Sequence, residues 1–387
     1  MEKPWDSWVP GVLNNDQMLE LCKFGLITGG SGLESAIGES AIDLSLSGSA
    51  YRMTQGSVKP TGAEGYSFFI THNKLAEDLP LSEDGTVVLE SKQTYVFKLK
   101  ERLNTGELKK AGVHGQATAK STVGRVDVLA RLIVDGMDTY ETFNPERLKS
   151  FSGDMFLEIT PITFNVVVRE GIQLSQLRLF RGEPEDSEIS GEYLFKTVLG
   201  PDAKDGSLSV DLGEDKKAGG AAFRAISNGS GEPIPLWKQP EGKELEPEAY
   251  WEVAHTNDEE RLEIEQGRFY ILRSRERICV PEGVAIYCRA TDETIGEMRI
   301  HYAGFVHPTF GQDRGDKERG TPLIFEVRGH QVNVSLANGE KLAKLTFYRM
   351  SKDHLKKEIK NGNGGASDDY NNQGLKLSKI FGKWASK

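Results

Sequence analysis

Two stretches of the chain carry one pattern. The first is Leu157-Glu158-Ile159, followed by Val166-Val-Val-Arg-Glu-Gly171-Ile-Gln-Leu-Ser-Gln-Leu177-Arg-Leu-Phe180-Arg. The second is Phe325-Glu326-Val327, followed by Val334-Ser-Leu-Ala-Asn-Gly339-Glu-Lys-Leu-Ala-Lys-Leu345-Thr-Phe-Tyr348-Arg. The offset is constant, because 326 − 158, 339 − 171 and 345 − 177 each give 168. Upstream, Val87 to Phe97 resembles Leu262 to Leu272, each string preceding an apolar strand-like segment. A fixed offset through a glycine turn and its flanking runs marks an internal duplication. Apolar or alternating runs such as Thr94-Tyr-Val-Phe-Lys-Leu and Lys344-Leu-Thr-Phe-Tyr, separated by Gly, Asn, Asp and Pro, predict short strands of a sandwich or barrel. The fold expected is therefore mainly β, a tandem repeat of one β domain over 1–200 and 201–350, with a tail over 351–387. The clearest helix runs from Asn14 to Phe24, where Asn14 or Asn15 can cap and Met18, Leu19, Leu21 and Cys22 make one apolar stripe.

The chain has 387 residues, room for two or three domains at roughly 150 residues each. Lys and Arg number 48 and Asp and Glu 58, a net charge of −10 that argues against nucleic acid or a membrane surface as partner. Apolar runs fall short of the ~18 residues that span a bilayer, and the opening MEKPWDSWVP lacks the charged-then-apolar layout of a secretory leader. Cys22, Cys279 and Cys288 are odd in number and lack C-x-x-C spacing, which argues against a disulfide scaffold or a cysteine-rich zinc site and suits a reducing cytoplasm. The tail from Ser351 departs from this balance, with eight lysines against four acidic residues. Its end, Leu375-Lys-Leu-Ser-Lys-Ile-Phe, is apolar at intervals that need a surface to rest on.

Three groups of residues can do chemistry. In Lys120-Ser121-Thr122-Val-Gly124-Arg125, two cations bracket two hydroxyls, an arrangement suited to phosphate oxygens, although an ordinary polar turn reads the same way. Glu158 and Glu326 each sit in an apolar strand, and alternation sets them opposite their immediate apolar neighbours. A solvent-facing residue is the plain reading, whereas a glutamate in an apolar cleft has its pKa raised and can shuttle a proton near neutrality. His301-Tyr-Ala303-Gly-Phe305-Val-His307-Pro-Thr309-Phe-Gly311 reads as a hairpin able to hold a flat ring. Its two histidines are six apart, a spacing that does not suit a helical metal pair.

Taken together, these segments resemble the dCTP deaminase branch of the dUTPase-like superfamily, in its long, duplicated form. Lys120-Ser-Thr-Val-Gly-Arg125 resembles that family's phosphate-binding Arg-Ser-Ser-x-x-Arg string. Ala303-Gly-Phe305-Val-His307-Pro-Thr-Phe resembles its base-pocket hairpin Ala-Gly-Phe-x-Asp-Pro-Gly-Phe, with His307 for an aspartate and Thr309 for a glycine. Glu326 falls at the catalytic glutamate, Glu158 matches it in the first repeat, and Tyr370-Asn-Asn-Gln373-Gly-Leu-Lys376 resembles the C-terminal lid. Leu13-Asn-Asn-Asp-Gln and Ala41-Ile-Asp43-Leu-Ser-Leu match the family's start. In the second repeat Arg289-Ala-Thr-Asp-Glu-Thr is a poor phosphate string, and in the first an insertion after Gly136-Met-Asp138 interrupts the base hairpin. Each repeat thus keeps a different half of the motif set.

The resemblance implies two distorted jelly-roll barrels with short helices, and hydrolytic deamination of dCTP to dUTP and ammonia. The P-C-x-x-C signature of zinc deaminases is missing from the sequence, so no zinc is expected. Glu326 is preferred over Glu158 as the proton-transferring group because the base hairpin precedes it. Substrate contacts are assigned to Lys120, Ser121, Thr122, Arg125, Ala303, Phe305, His307, Tyr370, Gln373 and Lys376. Mg2+ is expected to be bound through the substrate triphosphate. The tail is expected to order on substrate, with the barrels folding without it, and the assembly to be a homo-oligomer, trimer or dimer. A dUTP pyrophosphatase, a bifunctional enzyme and a non-catalytic nucleotide-binding protein are the alternatives.

Overall fold

The computed structural model describes residues 3–30, 32–62, 65–148, 152–226, 231–290, 298–301, 304–312, 320–352 and 373–385. It is mainly β and divides into two compact units. The first comprises Met1–Val123, Val128–Glu188 and Tyr348–His354. The second comprises Gly124–Asp127, Ile189–Phe347 and Leu355–Lys387.

In the first unit the strands run Val128–Val134, Asp154–Pro161, Tyr95–Leu103, Ile42–Met53, Gln173–Arg181, Val113–Ala119 and Thr142–Phe143, each hydrogen-bonded to the next. Alternation makes these strands half-buried: Ile42, Leu44 and Leu46 are buried while Asp43 and Ser45 between them are half-buried. Met53, Tyr66, Ile70, Val96, Ile133 and Phe156 pack together inside. The predicted helix forms at Asn15–Lys23, with Asn14 as its cap: Asn14 Oδ1 accepts from the Gln17 amide at 3.0 Å, and Gln17 Oε1 accepts from the Asn14 amide at 3.1 Å.

In the second unit the order is Trp251–Ala254, Ala222–Ala225, Phe269–Ile278, Ser207–Asp211, Lys341–Arg349, Val284–Ala290 and Gly304–Val306. Thr321–Gly329 pairs with both Phe269–Ile278 and Met298–His301. Its core includes Leu208, Leu262, Tyr270, Leu272, Ile286, Phe325, Leu336 and Phe347.

The duplication extends to individual hydrogen bonds. Gly171 and Gly339 have φ of 80° and 84°, the left-handed third position of a type II turn, and Ile172 and Glu340 each bond back three residues at 3.2 Å. Tyr95 Oη accepts from the Glu90 amide at 3.0 Å, as Tyr270 Oη does from the Glu265 amide at 3.1 Å. Glu101 accepts from the Ser45 amide and Glu276 from the Ser209 amide, both at 2.8 Å. The frame that presents the two strand glutamates is therefore the same in each unit.

Candidate active site

Both glutamates lie on the middle strand of three. Glu158 is paired in register with Val96 on one side and Arg131 on the other. Glu326 is paired with Ile271 and His301. Each is nearly enclosed, 2% and 5% exposed. A carboxylate in that position needs cations or donors, or it gives up its charge.

In the first unit the neighbours supply them. Arg131 donates from Nε to Glu158 Oε1 at 3.1 Å, and its Nη2 forms a second, shorter bond to the same oxygen. Ser57 Oγ donates to Oε2 at 2.9 Å and Tyr140 Oη to Oε2 at 3.1 Å. The Arg131 guanidinium lies 4.1 Å from the centre of the Tyr140 ring, and its Nη2 reaches Ser57 Oγ at 2.8 Å. The loop bearing Ser57 is pinned in turn, because Tyr66 Oη donates to the Val58 carbonyl at 2.9 Å and the Tyr66 amide to Asp135 Oδ1 at 2.8 Å. Glu158 is thus a closed ion-pair cluster.

In the second unit His301 takes the register position of Arg131, and among the described residues no salt bridge reaches Glu326. Burial pushes its carboxyl well above the usual range. The nearby Arg125 charge works against that shift and Asp127 adds to it. The backbone at Gly124 lies against the carboxyl so closely that a Cβ there would be 2.5 Å from Glu326 Oε2. Arg328, two residues along the strand, donates to Asp127 and to the Gly267 carbonyl, the latter at 2.6 Å. Burial and the Glu326 charge push the Cys288 thiol up to about 12, so it stays protonated at neutral pH.

The other sequence-predicted residues fall as follows. Lys120 is ion-paired with Asp43 in the first unit, and Asp43 also accepts from Gln176 at 3.1 Å. Ser121, exposed, and Thr122, half-buried, open the short helix Ser121–Gly124. Arg125, 2% exposed, donates from Nη1 to the Lys376 carbonyl at 3.0 Å and from Nη2 to Gln373 Oε1 at 3.0 Å. Phe305 is in register with Tyr287, the rings 5.6 Å apart, and makes one wall of the hairpin. His307 Nδ1 lies 2.8 Å from the Pro308 carbonyl, and its ring meets Phe310 edge-on. Ala303 and Tyr370 lie outside the described residues. Arg125, Glu326, Gln373 and Lys376 thus share the second unit, while Lys120, Ser121, Thr122 and Glu158 belong to the first.

Sequence reasoning missed Asp127 and Arg328, whose signal is the charge alternation Arg125-Val-Asp127 and Glu326-Val-Arg328. It also missed Arg131, visible only once strand register is known. Among the described residues no three His, Cys, Asp or Glu side chains converge as metal ligands, and no helix is long and apolar enough to cross a membrane.

Comparison with known proteins adds to this geometry. The family model for the 2′-deoxycytidine 5′-triphosphate deaminase N-terminal domain matches residues 9–183, and the model for its C-terminal domain matches 190–381. Among curated protein sequences none matches this chain. A crystal structure of 2′-deoxycytidine 5′-triphosphate deaminase from Agrobacterium tumefaciens is similar, at 26% identity and a TM-score of 0.77, over 89% of this chain and 96% of that one. Both halves are matched and the fold is shared across nearly the whole chain, so the protein belongs to the 2′-deoxycytidine 5′-triphosphate deaminase family, in a duplicated form.

Proposed function

We propose that this chain hydrolyses dCTP to dUTP and ammonia, with Glu326 as its proton-transferring group. The observation that carries this reading is a buried carboxyl without a salt bridge among the described residues, whose charge acts on Cys288, the register partner of Gly304 beside Phe305. Water adds across C4=N3 of the cytosine as Glu326 takes its proton and passes it to N3. The remaining hydroxyl proton then moves through Glu326 to the amino group, which leaves as ammonia as the C4 carbonyl forms. A carboxyl whose pKa is raised by burial holds a returned proton more firmly than an exposed one and can deliver it to the leaving amino group. Phe305, with Ala303 and His307, is assigned to the base. Lys120, Ser121, Thr122 and Arg125 are assigned to the triphosphate, with Tyr370, Gln373 and Lys376 as tail contacts. Magnesium enters with the substrate, held by phosphate oxygens.

We extend the proposal to a homo-oligomer of the chain, trimer or dimer; a fully active monomer by light scattering at micromolar concentration would remove it. The reaction is tested by incubating the pure protein with dCTP and magnesium and separating the products. Ammonia with dUTP supports the proposal, and ammonia with dUMP makes the enzyme bifunctional. Release of dUMP from dUTP without deamination would make it a pyrophosphatase, and no product at all would leave a nucleotide-binding protein.

A further inference from the structure

We infer that Arg125 is a positioning residue that latches the C-terminal segment beside the strand of Glu326, making Gln373 to Phe381 a fixed wall of the site. A guanidinium that is 2% exposed needs partners, and the chain's own tail provides them. Nη1 donates to the Lys376 carbonyl at 3.0 Å and the Leu377 carbonyl at 3.4 Å, and Nη2 donates to Gln373 Oε1 at 3.0 Å. The planar fork matches this set of adjacent oxygens, a geometry lysine does not reproduce.

Gln373 passes the connection on. Its Nε2 donates to the Pro322 carbonyl at 3.1 Å, and Pro322 lies four residues before Glu326 on the same strand. The next turn of the tail is held independently, because the Leu375 amide donates to Asp215 Oδ2 at 3.2 Å and Asp215 is paired with Arg273. Beyond that, Leu375, Leu377, Ile380 and Phe381 are buried. Meanwhile Gly124, the residue before Arg125, is pressed against the Glu326 carboxyl. The short segment Gly124–Asp127 therefore touches the tail through Arg125 and the proton-transferring group through Gly124. A displaced tail releases that segment, and with it the packing that holds Glu326 in place.

The kinetic arm of the test rests on the deaminase reading; the structural arm does not. Arg125→Ala, Arg125→Lys and Gln373→Ala are compared with the parent protein without nucleotide. Amide hydrogen exchange over Leu375 to Phe381 should speed up at least about tenfold in all three, with the strand Phe269–Ile278 unchanged. With dCTP, kcat should fall about tenfold or more in all three, over and above any rise in KM from their assigned substrate contacts, the pattern of lost transition-state positioning. The Arg125→Ala, Gln373→Ala pair should cost no more than the worse single change, because both cut one connection. Unchanged exchange with a raised KM would assign Arg125 to substrate phosphate and overturn the latch. Faster exchange with unchanged kcat would overturn the positioning role. If even the parent protein leaves dCTP intact, the deaminase reading fails, and the exchange data still decide the latch. Gln373→Ala keeps the test decisive should the Arg125 variants fail to fold.

Discussion

A carboxyl held in a nearly closed site, with no cation bonded to it among the described residues, is costly to ionise, and that cost sets how Glu326 responds to pH. Its side-chain pKa is raised on folding from an ordinary value of 4.5. The neutral form is therefore favoured by the fold. The stability this contributes is fully present below pH 4.5 and is lost as pH rises through the raised value. Glutamine keeps the shape and cannot ionise. Glu326→Gln should thus lower turnover at least about 10²-fold, the usual general-base contribution, while its melting temperature gains on the parent as pH climbs above about 5. A difference in melting temperature that stays flat with pH would contradict the raised pKa. Glu158→Gln should do the opposite. It removes the negative charge paired with Arg131 and turns one of the two oxygens that accept from Arg131, Ser57 and Tyr140 into a donor. Arg131 remains 36% exposed, so the loss is discounted to about 1–2 kcal/mol of stability, read by urea unfolding. Turnover should change little. A difference between the two glutamates was within reach of sequence, because only Glu326 follows an uninterrupted hairpin. The physical reason was not, since the exchange of Arg131 for His301 is a fact of strand register.

The hairpin and the tail show how elements depart from what a single sequence suggests. Thr309 stands where the resembling family motif has glycine, and its φ is 69°. A β-branched residue in the left-handed region is strained by about 1–2 kcal/mol. Thr309→Gly removes that strain but adds unfolded-state entropy of about 0.5–1 kcal/mol. The net expectation is a gain of roughly 0.5–1 kcal/mol, seen as a higher denaturant midpoint; a lower midpoint would mean that the threonine side chain stabilises the turn. The tail is a second case. Its charge excess and glycines suggest a strip that orders on substrate while the barrels stand without it. In the structure Phe381 lies 5.5 Å from the Tyr250 ring and 6.2 Å from Trp251, and Trp384 lies 4.9 Å from Phe223. Leu375, Leu377, Ile380 and Phe381 are all buried in the second unit. Burying such side chains is worth about 1.5–3 kcal/mol each, so the segment supplies about 5 kcal/mol or more. That rivals the whole stability of an ordinary domain. Removing residues 373–387 should therefore lower the unfolding midpoint of the second unit and expose Phe269–Ile278 to exchange, not merely slow turnover. A truncated protein with an unchanged midpoint would return the tail to a lid. The apolar spacing of Leu375, Leu377, Ile380 and Phe381 was legible; the surface it needed was not, because Tyr250, Trp251 and Phe223 are more than a hundred residues away.

At the scale of the whole molecule, duplication has kept the frame and divided the chemistry. The two units share the type II turn glycines, the tyrosine bonds and the strand carboxylates Glu101 and Glu276. The turn glycines were readable from the offset of 168 and the tyrosines and carboxylates from one of 175, since residues that set turns and registers recur wherever the frame does. What differs lies around the central glutamate. In the first unit Glu158 is consumed by Arg131, Ser57 and Tyr140. In the second, the Glu326 charge acts on Cys288, the register partner of Gly304 beside Phe305, and the carboxyl has no ion pair among the described residues. Opening the first cluster to a base would require breaking an ion pair whose carboxylate is almost wholly desolvated, which costs several kcal/mol before any contact with substrate is made. The chain should therefore hold one nucleotide for its two domains. Calorimetric titration of the Glu326→Gln protein with dCTP and magnesium, in which turnover no longer consumes the ligand, should reach saturation at one equivalent per chain. Saturation at two would mean that the Glu158 cluster opens for nucleotide, and the division of labour between the repeats would have to be abandoned.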